Sequence, residues 1–207
     1  MSRYLAADAC PARGSRSLWF ASRMSASGGV WLITGIQAAG KTTIADLLAR
    51  TFPRATHVRG GQFYRWAVTG WEQPGETSTS ERARALLDLR YRLSAQVSRE
   101  YVAAGFTALV QDNIYGPDVA TWLDEVAVRP RRLVVLRPSL SAIASRDRER
   151  MRTTGKVAYG PDGFSAAGLD RLLDATPRIG LWLDTTLQSP EDTVREIVSR
   201  SAEALVD

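Results

Sequence analysis

Apolar residues fall along this chain in two rhythms. Short continuous runs occur at Val30-Trp31-Leu32-Ile33-Thr34, Ala55-Thr56-His57-Val58-Arg59, Phe106-Thr107-Ala108-Leu109-Val110-Gln111, Leu133-Val134-Val135-Leu136 and Gly180-Leu181-Trp182-Leu183-Asp184. Runs without polar alternation predict strands of a parallel sheet buried on both faces. Between them the spacing turns helical. Ile44, Leu47 and Leu48 share a face in 43–50, and Leu86, Leu89, Leu93, Val97 and Tyr101 recur along 80–104. A short helix is expected from Gln62, turning Phe63, Trp66 and Ala67 inward. Ser80 and Ser139 precede helical stretches as N-caps, and Pro117 and Pro190 open two more. The fourth interstrand helix is expected to end near Arg150, followed by a Gly-rich, charged loop over 151–163 and a short helix near 165–174. Strands alternating with helices predict a three-layer α/β/α fold on a five-stranded parallel sheet.

Residues 1–29 show no sustained period and read as an N-terminal extension, leaving 30–207 as the folded domain. The extension is rich in Arg and Ser, like a transit peptide, but Met24 just ahead of the first strand favours an over-long translation start. Arg3, Arg13, Arg16 and Arg23 against Asp8 supply most of the net charge of +5, so the domain itself is near balance and no nucleic-acid partner is expected. No stretch approaches the roughly 18 apolar residues of a membrane span, so no membrane partner is expected. A single cysteine, Cys10, excludes an internal disulfide and a Cys-based zinc site. A single histidine, His57, excludes a multi-histidine metal site, and a cytoplasmic setting is the plain expectation.

The stretch Gly35-Ile36-Gln37-Ala38-Ala39-Gly40-Lys41-Thr42 reads G-x-x-x-x-G-K-T, the P-loop pattern, between a strand and a helix. Glycines let the backbone curl until several N–H groups face one phosphate chain, and the helix N-terminus adds partial positive charge there. Lys41 is expected on the β- and γ-phosphates of ATP, the Thr42 hydroxyl on Mg²⁺, and Thr43 beside them. Only two lysines occur, Lys41 and Lys156, against many arginines. The survival of Lys41 fits a site where arginine is too bulky.

With this loop, Val58-Arg59-Gly60 leading through Arg65, Leu89-Arg90-Tyr91-Arg92, Val110-Gln111-Asp112, the run Arg146–Arg152 and Leu183-Asp184-Thr185-Thr186, the chain resembles the small P-loop kinases of the adenylate, gluconate and shikimate kinase group. Within that group it is most similar to the chloramphenicol phosphotransferase-like branch, over about residues 30–204. The resemblance implies transfer of the γ-phosphoryl group of ATP to a hydroxyl of a small molecule, with Mg²⁺ as cofactor. It implies an Arg-rich lid in which Arg146 and Arg150 share one helix face and Arg148 and Arg152 another. Arg146 and Arg150 are the catalytic candidates there, and Arg152 a nucleotide-binding one. Arg59, Gln62, Tyr64 and Arg65 follow the second strand, where this group builds its acceptor site.

Asp112 falls at the C-terminal tip of a strand, where open α/β sheets place ligands, and is expected either to hold a Mg²⁺-bound water or to accept the acceptor's proton. The branch commonly has a basic aspartate after the glycine that follows the second strand. Here that place is Gly61, followed by Gln62. Either Asp112 does that work, or the proton leaves late without a base, or activity is weak. Two alternatives stand beside the small-molecule kinase: a nucleotide or nucleic-acid-end kinase, and a nucleotide-binding protein that has lost transfer.

Overall fold

The computed structural model describes residues 28–76, 78–159 and 164–207. The expectations for the extension and Met24 concern residues that lie, up to 27, outside the described ones. The chain order is β1 (Val30–Thr34), α1 (Lys41–Ala49), β2 (Ala55–Arg59), α2 (Gly61–Arg65), α3 (Glu81–Ala103), β3 (Thr107–Gln111), α4 (Asp118–Val126), β4 (Arg131–Leu136), α5 (Leu140–Thr154), α6 (Ala166–Asp174), β5 (Leu181–Leu183) and α7 (Pro190–Ser199). The five strands form one parallel sheet in the order β2-β3-β1-β4-β5. Right-handed crossovers place α1, which carries the chain one way, on the opposite face from α3 and α4, which carry it back. Accordingly α1 packs with α7, and α3 with α4.

All five residues of β1 are fully buried, as are Leu109 and Val110 in β3 and Leu133 to Leu136 in β4. The continuous apolar runs are therefore the sheet interior. The caps form as the sequence predicts. Ser80 Oγ accepts from Ala83 N, Ser139 Oγ from Ala142 N, and Ser189 Oγ from Asp192 N, with Pro190 following.

Three details differ from the sequence reading. On α3, Leu89 and Tyr101 are exposed, and the buried face consists of Ala83, Tyr91, Ser94, Ala95 and Ser98. Small residues win there because α3 lies close to α4: Ser94 Oγ accepts from Trp122 Nε1 at 2.8 Å and donates to the Tyr91 carbonyl. Helix α2 stops at Arg65, so Phe63 is buried while Trp66 is 69% exposed, edge-on to Phe63. Helix α5 continues to Thr154, closed by Gly155 in the left-handed conformation, so the expected loop starts later. Among the described residues no helix is long and apolar enough to cross a membrane.

The buried sheet predicts a sharp contrast between two leucines. Leu109→Ala, in β3, should cost about 2–5 kcal/mol of stability through lost burial and a residual cavity. Leu187→Ala, 96% exposed, should stay within about 0.5 kcal/mol of the parent. Urea unfolding of both variants measures the difference.

A phosphate-binding cleft at the strand tips

The loop after β1 returns the chain into α1 with Gly40 at φ 96°, a left-handed conformation that costs glycine little. Ala38 also has a positive φ, 61°. Side chains from distant segments fasten the loop. Lys41 Nζ donates to the carbonyls of Gly35 and Ile36, both at 2.7 Å. Tyr115 Oη donates to the Gly35 carbonyl at 3.1 Å, and Tyr159 Oη to the Gln37 carbonyl at 2.7 Å. Arg146 reaches across from α5 to donate to the carbonyls of Ala39 and Thr185. Burial, with the charges of Arg90 and Arg150 close by, pulls the Lys41 ammonium down to about 7 from its usual value.

A cleft of about 970 Å³ opens over this loop at the carboxyl ends of the strands. Of the nucleotide-site candidates, Gln37, Ala38, Ala39, Gly40, Lys41, Thr42 and Thr43 line it, while Gly35 and Ile36 lie beneath, holding Lys41. Arg146 and Arg150 line it too, one turn apart on α5. Arg152, on the other side of that helix, is paired with Glu149 and exposed. Of the acceptor candidates, Arg59, Gln62 and Arg65 line the cleft. Tyr64 does not; its ring carries the Arg90 guanidinium at 4.7 Å and meets Trp71 edge-on.

Asp112 is not brought to the cleft. It is fully buried and bound by Arg90, whose Nε lies 3.0 Å from Oδ2, and its Oδ1 accepts from Asn113 N at 2.6 Å. The backbone of Gly60 closes over the same carboxylate, and a Cβ at that position would collide with it. The neighbouring residue faces the loop instead: Thr42 Oγ1 donates to Gln111 Oε1 at 2.9 Å. A strand explains the swap, because consecutive side chains point to opposite faces. The hydroxyl of Thr42 and the amide oxygen of Gln111 are hard oxygen donors of the kind Mg²⁺ accepts together with phosphate oxygens. Among the described residues no cluster of His, Cys, Asp and Glu could hold a metal by itself.

The sequence motifs include Arg90, Gln111 and Thr185 without a site role and leave out Asn113 and Gln188, yet all five line the cleft. Thr185 and Gln188 follow β5 and join the site only through the sheet order.

Residues 30–172 match the family AAA_33, an AAA domain. No curated protein matches the chain. Several solved structures share the fold. A sugar kinase from Janibacter sp. HTCC2649 superposes with a TM-score of 0.60 at 16% identity, over 86% of this chain and 96% of that one. The APS kinase of Mycobacterium tuberculosis, in complex with AMPPNP and APS, does so with a TM-score of 0.59 at 15% identity, covering 85% and 98%. A gluconokinase from Sinorhizobium meliloti 1021 gives 0.55 at 20% identity, covering 85% and 94%. At such identities the likeness is one of fold, that of the P-loop kinases, and it does not single out the chloramphenicol phosphotransferase-like branch. With the match spanning the loop, both flanking elements and strands β1 to β4, the chain belongs to the AAA domain family AAA_33.

Proposed function

We propose that this protein is an ATP-dependent phosphotransferase that moves the γ-phosphoryl group to a small-molecule acceptor. The observation that carries the reading is the single cleft shared by the P-loop, Arg146 and Arg150 on one side and Arg59, Gln62 and Arg65 on the other. Such transfer needs alignment of donor and acceptor and neutralisation of spreading charge more than covalent help. Loop amides and Lys41 hold the donor phosphates. Arg146 and Arg150 stand where charge develops on the transferred group, and their helix works as a lid over the nucleotide. Thr42 and Gln111 would hold Mg²⁺, which would supply neutralisation of the donor's phosphate charge. Asp112 works through Arg90, which it fixes at the rim.

The kinase resemblance implies a hydroxyl acceptor, antibiotic or metabolite. A second reading, nucleotide binding without transfer, draws on Gly61, which leaves no carboxylate at that point of the cleft. Nucleic acid is not expected as acceptor.

Two outcomes test the first reading. Lys41→Ala should abolish ATP turnover while circular dichroism stays unchanged. By analogy with a lost oxyanion donor, the loss is about 2.7–4 kcal/mol or more of transition-state stabilisation. Turnover in the variant equal to the parent's overturns the assignment.

The second outcome concerns pH. In the free protein Lys41 loses its proton near pH 7. Phosphates close to it favour the charged form and raise that value, so nucleotide binding takes up a proton above pH 7. Affinity for AMPPNP should therefore fall between pH 7 and 9, by at most about tenfold per pH unit. Calorimetry at pH 8 in buffers of different ionisation enthalpy reads the proton uptake directly. Lys41→Arg should remove that uptake.

A further inference from the structure

The cleft's charge is one-sided. Lys41, Arg59, Arg65, Arg90, Arg146 and Arg150 line it, and no aspartate or glutamate does among the described residues. The donor side accounts for Lys41, Arg146 and Arg150, which surround the loop that would hold the triphosphate. Three arginines remain, on β2, α2 and α3, of which Arg90 lies close enough to Lys41 to lower its pKa. Arg90 is already balanced by Asp112. Arg59 and Arg65 make no ion pair or side-chain hydrogen bond with any described residue; only the Asp46 carboxylate is near enough to feel the charge of Arg59.

The second observation is chemical. An alcohol must lose a proton during transfer, and a positioned base is typically worth about 10²–10⁴-fold. Among the described residues the cleft offers none: Gly61 and Gln62 occupy the expected place, and Asp112 is sealed beneath Gly60 and engaged by Arg90. A phosphate monoester, with its second pKa near about 6, arrives at neutral pH as a dianion whose oxygen needs no base.

Building on the phosphotransferase reading, we infer that the acceptor is a phosphate monoester, gripped by Arg59 and Arg65 beside Arg90, and that its phosphate oxygen is the nucleophile. A lone pair of that oxygen forms the new bond to the γ-phosphorus. The bond from the γ-phosphorus to the β–γ bridging oxygen breaks, and its electron pair leaves with ADP. No proton moves, and the product is a phosphoric anhydride. The arginine forks suit this acceptor because they bind phosphate oxygens in pairs. They also offset the repulsion between two anions brought to reacting distance.

The experiment uses the full chain. Calorimetry with AMPPNP first establishes nucleotide binding; failure there overturns the phosphotransferase reading itself. Transfer from ATP is then followed by phosphorus NMR with paired acceptors: nucleoside monophosphates and hexose phosphates, each against the same compound without its phosphate. The expected result is an anhydride signal with at least one phosphorylated member, at a rate about a hundredfold or more above its unphosphorylated partner. Arg59→Gln and Arg65→Gln should each raise the KM for that acceptor roughly ten- to a hundredfold, as expected for a lost charged hydrogen bond, with AMPPNP affinity unchanged. Phosphorylation of a hydroxyl at a comparable or higher rate overturns the inference. So does AMPPNP binding with no phosphorylated member turned over above solvent hydrolysis, and each leaves nucleotide binding standing.

Discussion

A phosphate loop works only if its base does not move, and here the base is β1. Its five residues are buried completely, and it pairs with β3 on one side and β4 on the other. The strand has no free edge and no solvent face. Any displacement of the loop would break ladders on two sides and open apolar surface at about 25 cal/mol per Å². The loop's own carbonyls are tied down as well, to Lys41, Tyr115, Tyr159 and Arg146. The loop's backbone is thereby fixed before any anion arrives, with the Ala39 amide bonded to the Ile36 carbonyl.

The buried pair of Arg90 and Asp112 does for the opposite end of the cleft what β1 does for the loop. A carboxylate with no exposure must have a partner, because removing one member of such a pair costs about 3–5 kcal/mol. Gly60 leaves room for it, and the Tyr64 ring supports the guanidinium from the other side. Arg90 is therefore held on two sides, by the Asp112 carboxylate and the Tyr64 ring. The pair links β3, α3 and the turn after β2, the three segments that shape the acceptor space.

Most of the fold was legible because a two-sided sheet writes itself as continuous apolar runs and because serine caps and proline starts mark helix entries. The face of α3 was not legible. Its sequence spaces Leu89 and Tyr101 as a core stripe, yet close approach to α4 selects Ser94, Ala95 and Ser98, and no periodicity rule weighs proximity. Trp66 was misplaced for a related reason: the end of a five-residue helix is set by its surroundings, not by its propensity. In the site, the loop was read directly from its motif. The roles of Gln111 and Asp112 were not, because adjacent positions at a strand tip differ only in which face they take. The register of β3 with β1, Gln111 beside Ile33, decides it.

That choice of face has a consequence for the chemistry. Had Asp112 faced Thr42, a carboxylate would have stood between donor and acceptor, available to a metal or a proton and repelling any anionic acceptor. With Gln111 there, the same place offers an oxygen without a charge. Asp112 meanwhile spends its charge on Arg90, away from the cleft. The strand tip thus presents a neutral amide to Thr42 and an anchored cation to the cleft. A cleft arranged so has no carboxylate among its described lining residues.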